Sequence, residues 1–338
     1  MYIKRNLSWN LIWRYSWRNL IFFFLYATVI FIGFYSMDMR SLSIPFQPIS
    51  VVGIAVAFYI GFKNAQSYDR FWEGRKIWGG IVNYSRTWAM QVLSFVRSDN
   101  SEEDRKMHAR LIHRQIAWIN ALRVQLRQPK SWAIKENRAV EKMIDRHGER
   151  NPSCNEAYNY VDMREFTDLR KRVNPATHLV KNQAADVTSL KEKGIIDGFQ
   201  EDQLQSVLEE FYNLQGKCER IKNTPFPRQY GYFSRVFTWI FILLVPFGLL
   251  DVFESDSIKI LGNTNDWYIF LMIPFSVLIS WIFMTMEKVG DNSEDPFEGR
   301  INDVPMTALC RTIEIDLRDM LDEEELPEPV LPKDNILY

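Results

Sequence analysis

Histidine and cysteine, the residues on which much metal and nucleophile chemistry depends, are scarce in this chain. There are three cysteines and four histidines in 338 residues. Cys154, Cys218 and Cys310 form no CxxC pair. His108 and His113 stand five apart, not at the i, i+4 spacing of a helical zinc site, and His147 and His178 are isolated. No phosphate loop, GxSxG elbow or dinucleotide fingerprint occurs. An excess charge of one sign is lacking too: 41 Lys and Arg face 42 Asp and Glu, which argues against nucleic-acid binding and against a disordered chain. The sequence thus gives an enzyme no visible home, and no cofactor, metal or nucleic-acid partner is expected.

Hydrophobic residues, at 47%, and aromatic residues, at 14%, are by contrast plentiful and concentrated. Four runs, Leu20–Met37, Ile44–Phe62, Val236–Phe253 and Tyr268–Met286, are nearly uncharged and long enough to cross a bilayer core as helices. None holds an ionisable residue near its middle; Arg235 and Asp251 lie at the edges of the third. Pumps and coupled transporters place such groups at mid-membrane, so this absence favours passive conduction or anchoring. Lys4, Arg5, Arg14 and Arg18 precede the first run, whereas only Asp38 and Arg40 bear charge in the short connection after it. Lys63, Arg70, Arg75 and Lys76 follow the second run, and Lys222, Arg228 and Arg235 flank the start of the third. Acids dominate the last connection. The positive-inside rule then places both termini in the cytoplasm, with Trp9, Trp13, Trp17, Tyr230, Tyr232, Trp267 and Tyr268 at headgroup level. No small-residue cleavage site follows the first run, so it is expected to be retained.

The expected fold class is all-α. Residues 1–19 form a cytosolic N-terminal segment, 20–62 hold spans 1 and 2, 63–230 form a cytosolic helical domain, 231–287 hold spans 3 and 4, and 288–338 form a cytosolic helix and tail. Apolar spacing predicts helices over Asp104–Leu126, Gln203–Ile221 and Thr307–Leu321, with breaks at Pro129, Pro152 and Pro175. The tail DEEELPEPVLPKDNILY carries three prolines and is expected to be extended, in solvent or along a partner subunit.

The second run holds the most specific pattern. Ile54, Phe58 and Phe62 fall at i, i+4 and i+8 and share one helix face, while Gly53, Ala55, Ala57 and Gly61 lie among them. Such a stripe either packs on a neighbouring helix or lines a constriction on a symmetry axis. Pro45 and Pro48 suit a first helical turn, whose positive dipole end would face outward and draw anions. The positive ring edges of Phe58 and Phe62 point the same way.

Three blocks, GFKNAQSYDRFWEGRKIWG (Gly61–Gly79), CERIKNTPFPRQY (Cys218–Tyr230) and EDPFEGRINDVP (Glu294–Pro305), closely resemble those of bestrophins in their bacterial form. Their order, their spacing and the four-run layout agree, so the resemblance covers nearly the whole chain apart from roughly residues 130–195. It implies a homopentameric channel of the bacterial inner membrane with one axial pore, passing chloride and other monovalent anions. A monovalent-cation channel of the same architecture, or a membrane-anchored scaffold, is the alternative. The resemblance assigns the hydrophobic neck to Ile54, Phe58 and Phe62, and a cytosolic aperture to Phe199, where relatives carry Ile or Val. The calcium clasp of eukaryotic relatives is interrupted here by Gly299, Arg300 and Ile301, so this segment is expected to be a structural turn without calcium.

Overall fold

In the computed structural model, residues 1–36, 43–131, 159–262 and 266–338 are described; Asp38, Arg40, His147, Pro152 and Cys154 lie outside them. The described residues are helical, with no strand and only isolated bridges near the chain ends. Four helices are long and apolar enough to cross a membrane. They are α1 (Trp9–Ser36), α2 (Phe46–Phe95), α7 (Arg228–Leu261) and α9 (Met272–Ser293), the last preceded by the short α8 (Asp266–Phe270). At most 44% of any apolar window is buried within one chain. The remaining apolar faces require lipid or further copies of the chain to cover them.

The helices are stopped and started by local chemistry. Asn100 caps α3 (Ser101–Arg127) by accepting from the Glu102 amide. Asp162 does the same for α4 (Met163–Leu169) and Asn174 for α5 (Pro175–Glu192), where Pro175 takes the first turn at no cost in hydrogen bonds. A capping box of Asp197 and Gln200 opens α6 (Gly198–Asn223). The last helix, α10 (Met306–Asp319), follows Pro305. The helices expected around residues 104–126, 203–221 and 307–321 are thus present, each with its ends moved by a few residues. α2 does not stop where its apolar run does. It continues for 50 residues, about 75 Å at 1.5 Å per residue, through Lys63 and onward to Phe95.

Two cores form around this rod. In the apolar half, α2 buries Ile49, Val56 and Ile60 against Phe241, Val245 and Leu249 of α7 and Ile273 of α9. Gly53 permits the approach: a Cβ there would stand 2.7 Å from the Phe241 ring. In the polar half, Trp78 and Trp88 of α2 meet Trp118 of α3 and Phe211 of α6, all fully buried. The Trp118 and Phe211 rings lie 4.8 Å apart, and Trp118 Nε1 donates to Gln215 Oε1 at 3.1 Å. α1 packs mainly on α9, and α9 on α2 and α7, so α1 is an outer helix of the group.

The tail is extended, and its end docks on its own chain. Ile3 N donates to Asn335 O at 3.0 Å, Leu337 N to Met1 O at 2.9 Å and Ala308 N to Tyr338 O at 2.6 Å. Ile336 and Tyr338 are buried against Leu11 and Ile301. Backbone pairing and an apolar socket are both available within the chain, and these hold the end in place. Leu326 and Leu331 remain exposed.

Candidate functional site

Helix periodicity divides α2 into two faces. Ile49, Gly53, Val56 and Ile60 are buried toward α7 and α9, while Val51, Ile54, Phe58 and Phe62 point away from the chain. Ile54 is 72% exposed and Phe58 79%; Phe62 is 46% exposed because its ring leans on Tyr230, with centroids 6.1 Å apart. Ile54 and Phe58 are therefore left largely uncovered by their own chain, while Phe62 rests in part on α7. Phe199, on the first turn of α6 between the two residues of the capping box, is 83% exposed. The structure brings the three stripe residues onto one surface and places Phe199 on a separate helix.

The N-terminal end of α2 departs from the picture of an open helix N-terminus. Phe46 N donates to Asp251 Oδ2 at 3.2 Å. A carboxylate already occupies that end and offsets the positive dipole that was expected to draw anions.

Directly beneath Phe62 lies a cluster not anticipated from the sequence. The fully buried Lys63 ammonium donates to Glu287 Oε1 at 2.6 Å and to Asp291 Oδ1 at 2.5 Å. Ser234 donates to the other Glu287 oxygen, and Arg235 pairs with the second Asp291 oxygen at 3.1 Å. One cation thus ties α2 to α9, and the same two acids tie α9 to α7. The available signal was the pair Glu287 and Asp291 at i, i+4, which places two carboxylates on one helix face.

The three sequence blocks meet just below. Arg70 donates from Nε to Glu294 O at 3.0 Å and from one terminal nitrogen to Thr224 O at 2.8 Å and Ile221 O at 3.3 Å, so one side chain joins all three blocks. Lys222 pairs with Glu298 at 2.5 Å. Asp303 organises the third block: its carboxylate accepts from Phe297 N, Gly299 N and Val304 N and pairs with Arg127 at 2.9 Å. Phe297 and Gly299 turn with positive φ, and the Phe297 ring seats on Gly74, where a Cβ would meet it at 3.0 Å. Arg300 is buried and donates to Asp291 O at 2.6 Å. The Asp303 oxygens are thus taken by amides and arginine, the arrangement of a structural turn. No group of three or more His, Cys, Asp or Glu side chains suited to a metal occurs among the described residues. Burial pushes the Cys218 and Cys310 thiols up, away from the reactive thiolate.

Glu294 is the one strongly displaced acid at this junction. Burial, then the neighbouring charges of Asp295 and Asp291, push it from 4.5 up to about 7, against the pull of Lys63 and of Arg228, which lies 3.3 Å away. The folded chain therefore holds this proton to higher pH than the unfolded chain does. Between about 4.5 and 7 the unfolded state binds fewer protons, so stability falls as pH rises through that window. Melting temperatures across pH 5 to 8 should show this slope, and Glu294→Gln should remove it. An equal slope in the variant would mean another group titrates.

These features define a class: a helical membrane protein whose long second helix turns an uncharged apolar stripe outward and is clamped to its neighbours at one edge of the apolar layer. The bacterial and fungal bestrophin profile matches residues 11–319, and the chain belongs to the bestrophin family. This is a family of ion channels, not of enzymes. A protein of Salmonella typhi, named a voltage-dependent anion channel-forming protein, is 26% identical over 307 residues, covering 90% of this chain and 86% of its own length. An Escherichia coli K12 protein of the same description is 27% identical over 286 residues, covering 84% of this chain and 80% of its own. The crystal structure of a bacterial bestrophin homologue from Klebsiella pneumoniae superposes with a TM-score of 0.74 at 23% identity, covering 93% of this chain and all of the other.

Proposed function

We propose that this chain assembles as a homopentamer in the bacterial inner membrane and conducts chloride and other monovalent anions passively along its axis. The observation that carries this reading is the α2 stripe: Ile54, Phe58 and Phe62 stand exposed on a helix whose opposite face is fully packed. Around a five-fold axis these side chains form three stacked apolar rings, the neck, while Phe199 forms a lower aperture. Both termini lie in the cytoplasm, as do residues 63–230 and 288–338. The relatives named as anion channel-forming proteins support chloride as the ion. Asp251 at the outer end of α2 favours the second reading, a monovalent-cation channel of the same build, because a ring of carboxylates at a pore mouth attracts cations.

Purified protein in liposomes with asymmetric salt tests the proposal. The expected reversal potential lies on the chloride side, and a value on the cation side would install the second reading. An intact salt gradient, or a monodisperse monomer or dimer by light scattering, would end the pore reading and leave a scaffold. Phe58→Ile keeps the ring apolar but removes the positive ring edge, so it should lower the anion-to-cation ratio with the oligomer intact. An unchanged ratio would place charge selection elsewhere.

A further inference from the structure

A second site lies on the opposite side of α9 from the α2 stripe. The seam between α1 and α9 is apolar from Phe24 and Ile273 down to Trp281. On the other side of Trp281, in line with it, lies a cavity of about 270 Å³ between the cytosolic ends of the two helices, with Leu11, Ile12, Met284 and Val289 among its walls. Trp281 borders both spaces, held by a hydrogen bond from Nε1 to Ser16 Oγ at 3.0 Å. An apolar channel of this kind accepts a hydrocarbon chain.

The cavity is not purely apolar. Lys288 projects into its wall, half-buried, and its ammonium donates to the neutral Tyr15 carbonyl at 3.1 Å. Among the described residues Lys288 forms no ion pair. The nearby acid Asp291 is already engaged by Lys63 and Arg235. A positive charge thus stands at the polar end of an apolar slot without an anionic partner. Asn292 and Asn302 border the same end. Trp9, Trp13 and Trp17, all exposed on the first turns of α1, set this end at the depth of the membrane interface.

We propose that this cavity binds one anionic phospholipid of the cytoplasmic leaflet per chain, with an acyl chain in the α1–α9 seam and the phosphate on Lys288. The leaflet follows from the orientation proposed above; the slot and its unmatched charge do not depend on conduction. Charge complementarity selects an anionic headgroup, and the length of the apolar seam selects a lipid over a small anion.

Native mass spectrometry of the delipidated oligomer tests this with phosphatidylglycerol and phosphatidylcholine of identical chains. One phosphatidylglycerol per chain should be retained, with about a fivefold preference over phosphatidylcholine, the increment one lysine provides at a membrane surface. Lys288→Met should remove the preference and Lys288→Arg should keep it. Thr285→Trp, which fills the cavity and leaves the charge, should abolish retention and covers the case in which Lys288→Met does not fold. Equal retention of the two lipids, an unaltered preference in Lys288→Met, or displacement by inorganic phosphate alone would each overturn the assignment. The readout registers no current, so a failed lipid site and a failed channel are told apart.

Discussion

Replacing Ile54, Phe58 and Phe62 together by alanine is expected to raise ion flux by about tenfold or more, the gain that follows from lowering a barrier by about 1.4 kcal/mol. Three apolar layers span eight residues, about 12 Å along the helix. In the proposed neck, an ion crossing that length loses hydration and finds no polar group in exchange, so conduction there waits on wetting of the segment. Alanine widens all three rings and shortens the dry interval. The same substitutions should leave each chain folded, because Ile54 and Phe58 are largely exposed and Phe62 gives up only its contact with the half-exposed Tyr230 ring. Single-channel conductance and melting temperature should be measured on one preparation. Unchanged conductance with intact assembly would return the stripe to ordinary packing between subunits.

Lys63→Met is expected to cost about 3–5 kcal/mol of stability, the range for removing one partner from a buried ion pair. The fully buried ammonium leaves behind Glu287, itself buried, and half of the charge on Asp291. Ser234 and Arg235 cannot replace it, since each already engages the other oxygen of its acid. In detergent this should appear as a fall in melting temperature on the order of 5–10 °C. Glu287→Gln, which preserves shape and removes one charge, should have a smaller effect in the same direction. A melting temperature equal to that of the unaltered chain would mean that the cluster is solvated or redundant.

Much of the architecture was legible because a bilayer imposes its own length on a sequence. Four uncharged runs reported four spanning helices, and prolines reported several of the breaks between helices. The extent of α2 was not legible. Charges beginning at Lys63 mark where the chain leaves the apolar layer, yet no proline follows and the backbone continues as helix to Phe95. A change of solvent resembles the end of an element when only hydropathy is read. Lys63 itself reads from sequence as an inside-facing positive charge. Its burial depends on acids 224 and 228 residues away, beyond any local pattern. Arg70 was hidden for the same reason, as its acceptors are main-chain carbonyls in two distant loops. The stripe was visible from its spacing, and the structure adds that its own chain leaves Ile54 and Phe58 largely uncovered. The tail was correctly extended, but sequence alone could not tell which chain would offer its last residues a socket.

Because α2 is one continuous rod clamped near Lys63, it has the proportions of an unequal lever. Phe58 lies about 8 Å from that fulcrum and Phe95 about 48 Å from it, at 1.5 Å per residue. A displacement at the Phe95 end reaches the stripe reduced roughly sixfold, and the force behind it is multiplied by the same ratio. Jostling of the helices packed around the Phe95 end is thereby attenuated before it reaches the stripe. A sustained push on the long arm retains the leverage to shift Phe58 and its neighbours on the stripe.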